Sequence, residues 1–544
     1  MATAAAPDPA HAPTGTAREE PAQAVTRRAL VLGTILAPCI CYWVAYTQIR
    51  ANSTDLVMMS LMAAALFPLI VLLTGNAVVR RFAPRWALSR GELLTIYAML
   101  ASTAGLAGGG FIPFLAANIP AAQHFGAASG WEEWVPLLKP WATVSDPEAV
   151  RAFYEGQSGF WRPAHLRAWA LPILSWSGFL LAMLFWGYCL NTLLRRPWMD
   201  GEKLPFPIAQ IPLEITRPDV PFWRSRVLWA GIAIPAVLES LNSINGTFSP
   251  NVPYVRLKPD DVLNLQTYIT EHPWNAVGYF PLAFYPLAIG LSFLLPAELS
   301  FSCWFFYLVG KAERVASTAW GLNDPGASLA ASRMPYLLEQ GTGAFLAVAL
   351  LSLYAARRHL SLAFRHAFSG RGEAPAVDDG DEPMSYRAAV WGGIAASVFL
   401  VAFATLMGLA WHVSVLFFVL YALFLVTYTR IRAEAGLPWV MAALFNPHGI
   451  LLDIGGQGRY RPQDLTALAR FEWFEMDYRS HMMPNQMDGI KIARSSGVNL
   501  RGLSLALGLA TITALIGSWL SCLHIFYTHG ALTANVNTWY AAMG

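Results

Sequence analysis

Apolar residues along this chain gather into long runs separated by short polar stretches. A hydrocarbon core of about 30 Å takes roughly 20 helical residues to cross. By that measure the pattern predicts spans over 29–49, 56–79, 92–117, 168–193, 227–246, 277–295, 334–356, 387–409, 411–429 and 502–527. A shorter apolar piece, 298–311, follows Pro296, and two more, 204–215 and 436–452, are interrupted by proline and glycine. The expected fold is all-α: a polytopic transmembrane helical bundle of ten to twelve crossings with Pro/Gly-broken re-entrant segments, in two pseudo-symmetric halves. The expected organisation is a disordered cytoplasmic tail over 1–26, a transmembrane half over 27–315 and a second over 316–544. Within the second, 453–500 reads as a polar cytoplasmic loop.

Composition agrees and narrows the field. The 544 residues are 55% hydrophobic and only 13% charged, against a soluble norm of about 25% charged. Mean hydropathy is +0.42. There is too little charge to coat a soluble globule, and the net charge of +3 is not gathered into a stripe for nucleic acid. The partners expected are a lipid bilayer, a small solute and protons, with a second copy of the chain or a membrane-complex subunit as a further partner. No apolar core precedes the first span as in a signal peptide.

The basic residues set an orientation. Arg27 and Arg28, Arg80, Arg81, Arg85 and Arg90, Arg195 and Arg196, then Arg357 and Arg358, and Arg430 and Arg432 all fall on one side when 298–311 also crosses. By the positive-inside rule that side is the cytoplasm, so the N-terminus lies inside and the C-terminus outside. The expected location is a bacterial inner membrane. On the outer side, residues 120–166 carry Trp131, Trp134, Trp141, Phe153, Tyr154, Phe160 and Trp161, the composition of an interfacial belt or of a cap over a vestibule.

Backbone at membrane depth must satisfy its own hydrogen bonds, so irregular stretches there line water or lie buried in protein. Three such stretches stand out. In the third span Gly105, Gly108, Gly109 and Gly110 are followed by Pro113, which implies a break or a close helix contact. Pro205, Pro207 and Pro212 forbid a continuous helix over 204–215. Gly436 and Pro438 interrupt the chain after the 411–429 span. The last two stretches resemble each other, with Glu202 ahead of Leu204-Pro205-Phe206 and Glu434 ahead of Leu437-Pro438-Trp439. Paired broken segments point to a transporter site.

Ionisable residues inside apolar runs are the second signal, because a charge at the bilayer centre costs at least about 2.5 kcal/mol. Glu239 shares a helical face with Asn242 in the fifth span and is the leading candidate for proton coupling. Glu298 follows Pro296, and Glu339 opens the 334–356 span. Glu202, Gln210 and Glu434 complete the substrate and coupling candidates. The histidines are dispersed, the five cysteines form no CxxC, and neither a Walker A loop nor a dinucleotide fingerprint occurs. No metal site, cofactor or catalytic residue is expected; Asp453, His448 and Glu434 would be the members of an intramembrane enzyme site, were there one.

Three motifs carry a family resemblance. Glu202–Gln210 (EKLPFPIAQ) resembles the E-x-L-x-F-P-x-A stretch of the oligopeptide transporter superfamily. Ala297–Phe306 (AELSFSCWFF) and Arg430–Gly436 (RIRAEAG) look like a prokaryotic branch of polytopic membrane proteins related to it. Asn446–Gly449 (NPHG) approximates that family's N-P-G element. The resemblance implies a pseudo-symmetric helical bundle coupling proton movement to uptake of peptide-like or metal-chelate solutes. The alternative is a non-transporting scaffold or assembly subunit, with the aromatic outer loop and 453–500 as docking surfaces.

Overall fold

The computed structural model describes residues 23–51, 56–218, 222–257, 263–322, 334–369, 378–437, 446–475 and 481–532. Among the described residues the structure is all-α apart from one two-residue strand pair, Leu263–Asn264 with Pro281–Leu282. Among the described residues, nine helical stretches are long and apolar enough to cross a membrane.

The chain opens with α1 (Arg27–Ala45), capped by Thr26, whose hydroxyl accepts from Ala29 N. The expected tail therefore ends earlier than residue 26: Gln23 N donates to Gly497 O at 2.6 Å. Helix α2 (Ala63–Phe82) starts seven residues later than the span expected from 56. Next comes α3 (Arg90–Thr103), started by a capping box between Ser89 and Glu92. After the glycine-rich stretch α4 (Ile112–Ser129) resumes. The expected interruption of the third span is thus present. Helix α5 (Pro147–Glu155) follows, then the 34-residue α6 (Pro163–Arg196). The Leu-Pro segment is non-helical up to Phe206, which is left-handed at φ +48°, and then forms the nine-residue α7 (Pro207–Ile215).

Helix α8 (Arg226–Thr247) has no buried residue. The span expected over 277–295 is not formed: only α9 (Pro286–Ser292), seven residues, is helical there, about 10 Å of helix. Proline at 281, 286 and 296 divides the apolar run. The short piece expected at 298–311 is instead part of the 23-residue α10 (Ala297–Ala319). Three full-length helices follow: α11 (Leu337–Phe368), α12 (Tyr386–Met407) and α13 (Trp411–Ala435). The chain ends with α14 (Pro447–Gly455), α15 (Pro462–Glu475), α16 (Met482–Ser495) and α17 (Leu500–His529).

The stretch expected as a polar cytoplasmic loop, 453–500, lies largely in the core. Ala467, Leu468, Phe471 and Phe474 of α15 and Met482, Met483, Met487 and Ile490 of α16 are buried. These residues recur at helical spacing, which places one continuous apolar face against the bundle. Helices α16 and α3 pack along their length, and so do α1 and α17, and α6 and α12. Elements from either side of residue 315 therefore interdigitate rather than form two separate bodies.

Charge concentrates at one end. Arg195, 0% exposed, makes a two-pronged ion pair with Glu382 (Nε–Oε2 2.7 Å, Nη2–Oε1 2.5 Å) and reaches Asp200 at 3.3 Å. Arg494 holds the other oxygen of Asp200 at 3.2 Å, and Arg501 reaches Asp379. Arg195 and Arg432, expected as topology-setting charges at the ends of spans, are both buried. At the opposite end the aromatic loop 120–166 packs down on the helices instead of floating as a belt. Phe153, Tyr154 and Phe160 are buried, and Trp169 Nε1 donates to Tyr527 Oη at 2.7 Å.

Candidate functional site

The two Leu-Pro segments meet. Phe206 N donates to Ala433 O at 2.8 Å. Gly436 turns the chain at φ +53°, and a Cβ there would lie 2.7 Å from Pro207 Cβ. Only glycine fits this turn, on both backbone and contact grounds. Arg430 ties the segments electrostatically. Its guanidinium holds both oxygens of Glu202 (3.0 and 2.5 Å), and its Nε reaches Glu434 at 3.4 Å. Ser352, bonded by Trp198 Nε1 at 3.0 Å, accepts from the same guanidinium at 3.3 Å. The two glutamates singled out by the repeat thus share one arginine.

Two residues along α13, Arg432 forms a second pair with Asp488 of α16 (Nε–Oδ2 2.7 Å) and donates to Ser60 O at 2.6 Å. A cavity of about 10 Å³ beside Tyr97, Asn485 and Asp488 has room for about one water.

Beyond these pairs, α3–α4 and α15–α16 run antiparallel, each made of two short helices. A Cβ on Gly489 would meet Ala98 Cβ at 3.4 Å. Further along, Phe111 packs on His481 (5.7 Å) and Trp473 (6.5 Å), and Arg470 donates to Asn118 O and Ile119 O. As one element advances from 98 to 119, its partner retreats from 489 to 470. The interruption after α3 therefore lies against His481, the N-cap of α16, and Trp473 of α15. Gly108 closes against the 56–62 stretch: a Cβ there would sit 2.2 Å from Val57 Cγ2. Gly109 lies in the same interruption, and Gly110 has φ +85°.

A buried polar cluster lies at that meeting point. His481 Nδ1 accepts from Met483 N at 3.3 Å, so the neutral ring carries its proton on Nε2. That nitrogen lies 2.8 Å from Tyr421 Oη, whose hydroxyl faces Met183 Sδ at 3.4 Å. Phe474 stacks edge-on against Tyr421 at 5.1 Å. The next residue, Glu475, is 0% exposed. Its Oε2 accepts from His448 N at 2.8 Å, capping α14, while Oε1 has no hydrogen-bond partner among the described residues. On the same half-helix, buried Arg470 is held by two carbonyls and, among the described residues, faces no carboxylate and has Nε unpaired. A buried polar atom left without a partner costs about 1–3 kcal/mol, more for charged groups, so both side chains are costly to enclose.

A cavity of about 840 Å³ opens at the corner between α12 and α13 and reaches Leu451 and Gly455 of α14. Arg461 and Asp464 close one wall (Nε–Oδ2 2.9 Å). Hydrogen bonds from Arg461, then from the backbone of Ala410 and Arg461, hold the Asp464 carboxyl below its usual range against the opposing effect of burial.

The other expected residues lie elsewhere. Glu239 is exposed on α8, so it does not face a bundle interior among the described residues. Asn242 is spent on the backbone of Val255, donating at 2.9 Å and accepting at 2.7 Å. Glu298 and Glu339 are exposed in the first turns of α10 and α11. Gln210, also exposed, donates to Pro205 O at 3.0 Å within its own segment. Pro207 stands at the first position of α7, and Pro438 lies outside the described residues. His448 and Asp453 both lie on α14, away from Glu434. Among the described residues no three His, Cys, Asp or Glu side chains gather to hold a metal.

Sequence reasoning missed Arg470, Glu475, His481 and Asp488, all within 453–500. Their mean polarity hid them. The signal that could have found them is the 3.6-residue recurrence of Leu468, Phe471 and Phe474–Glu475. The chain belongs to a family of unknown function, DUF6785, which matches over residues 19–544. Among curated proteins, no relative matches it.

Proposed function

We propose that this protein is a proton-coupled secondary transporter for a small solute, peptide-like or metal-chelate in character, of the bacterial inner membrane with its N-terminus in the cytoplasm. One observation carries the reading: the interrupted α3–α4 pair runs antiparallel to α15 and α16 beside a fully buried carboxyl, Glu475, one oxygen of which has no hydrogen-bond partner among the described residues. Interrupted helices at membrane depth are how transporters present backbone groups to a solute. A carboxyl in such a place is where a proton is taken up and released, because an uncompensated buried charge costs several kcal/mol. His481 and Tyr421, 2.8 Å apart, are a second pair of exchangeable protons in the same interior. The resemblance to oligopeptide transporters supports the same reading, with Glu202, Arg430 and Glu434 joining the broken segments.

Uptake of labelled dipeptides and ferric chelates into proteoliposomes, with and without an inward proton gradient, tests the proposal. Gradient-driven uptake by the wild type that loses its pH dependence in Glu475→Gln is expected. Absence of gradient-dependent uptake across the panel would refute it. A second reading, a scaffold subunit, is favoured by α8, which exposes Val227, Ile234 and Val237 together with Glu239. Stoichiometric co-purification of another membrane protein would support that alternative.

A further inference from the structure

The 840 Å³ vestibule has a chemically one-sided wall. Its volume falls in the range of small-molecule sites, about 300–1,000 Å³. Leu409, Val413, Leu416 and Leu451 supply apolar surface, and Trp411 and Tyr460 supply rings. The charged groups are Arg459, Arg461 and Asp464, with His412 beside them. The single carboxylate on this wall is already satisfied. Asp464 Oδ1 accepts from Ala410 N (2.7 Å) and Arg461 Nη2 (2.9 Å), and Oδ2 accepts from Arg461 Nε (2.9 Å) and Arg461 N (3.1 Å). It has no capacity left to attract a cation.

Arg459, by contrast, is exposed on the wall and enters none of the ion pairs among the described residues. His412 is exposed beside Trp411, with ring centroids 5.7 Å apart. The groups left for a ligand are thus a guanidinium, an imidazole and two aromatic rings around an apolar floor. Both rings line the open cavity. Two of its lining residues, Leu451 and Gly455, belong to the helix whose N-terminus Glu475 caps.

We infer that this vestibule binds small carboxylates with an aromatic or apolar body, selecting the anion over the cation. The assignment rests on the transporter reading, of which it names the substrate class. Arg459 engages the carboxylate, a guanidinium–carboxylate pair being among the stronger polar contacts. Trp411 and Tyr460 cover the apolar body.

Calorimetry on the full-length protein in dodecylmaltoside, titrated with hippurate, its neutral amide hippuramide and cationic phenethylamine, tests this. Hippurate should bind, with hippuramide about tenfold weaker and phenethylamine silent. Arg459→Ala should weaken hippurate about tenfold while leaving hippuramide unchanged. Trp411→Ala should weaken both. Equal affinity for hippurate and hippuramide, or no response to Arg459→Ala, would overturn the assignment. Loss of hippurate binding in phosphatidylglycerol nanodiscs but not in phosphatidylcholine ones would overturn it too, by making the site a lipid headgroup site. The two readings separate cleanly: hippurate binding without gradient-driven uptake removes the transport proposal, and uptake without hippurate binding removes the vestibule.

Discussion

Replacing Glu382 by alanine should be among the most destabilising single changes in the molecule. Arg195 is 0% exposed, and its Nε and Nη2 both end on Glu382. Tyr386 Oη donates to the same carboxylate at 2.8 Å. In Glu382→Ala the guanidinium keeps only Asp200, at 3.3 Å and half-shared with Arg494. Removing one partner from a buried pair costs about 3–5 kcal/mol, and the orphaned tyrosine hydroxyl adds about 1 kcal/mol. The expected loss is therefore about 4–6 kcal/mol. Glu382→Gln keeps the shape and one acceptor and should lose about 2–3 kcal/mol. The double replacement Arg195→Met with Glu382→Met removes both charges and should recover most of the loss, ending within about 2 kcal/mol of wild type. Unfolding in mixed detergent and dodecyl sulfate micelles measures this, read by alkylation of the buried thiols Cys189 and Cys522. A double variant as unstable as the sum of its singles would refute the reasoning, because buried charge would then not be the source of the cost.

Three further outcomes are expected. Gly436→Ala forces a side chain into a left-handed turn against Pro207, and should cost about 2–4 kcal/mol in the same unfolding assay; a variant as stable as wild type would mean the segments do not meet there. A double-mutant cycle on Glu202→Gln and Arg430→Gln should give a coupling of about 1 kcal/mol, reduced by the pair's partial exposure; a coupling indistinguishable from zero argues against an electrostatic tie between the Leu-Pro segments. Asp464 has its carboxyl lowered by Arg461, so its contribution is fully present above about pH 4 and is lost as pH falls through the lowered folded-state value. The stability gap between wild type and Asp464→Asn should therefore close on acidification, and a gap that stays constant from neutral pH to pH 3 contradicts the assignment.

Much of the fold was legible because lipid imposes a long one-dimensional signal. Runs such as 168–193 and 502–527 are apolar on every face and appear as α6 and α17. The same reasoning failed at 277–295, where proline divides an apolar run into pieces that cannot span. It failed in the opposite sense over 453–500, where an average over many residues concealed two half-helices with one apolar face each. Buried Arg470 and Glu475 raise the polarity of a helix packed into the interior, so hydropathy alone reads it as surface.

The sequence by itself determined that the chain is an all-helical membrane protein, that its third span is interrupted, and that Glu202 and Glu434 stand in related segments. Those properties are local: composition, glycine and proline act on their own neighbourhood. Only the tertiary structure decided that both glutamates reach Arg430, that Glu239 lies outside the packed interior, and that Glu475 is enclosed with one oxygen unpaired among the described residues. Those facts depend on which face of each helix meets another, and contact between residues such as Phe111 and His481, far apart along the chain, is set by packing rather than by any pattern along it.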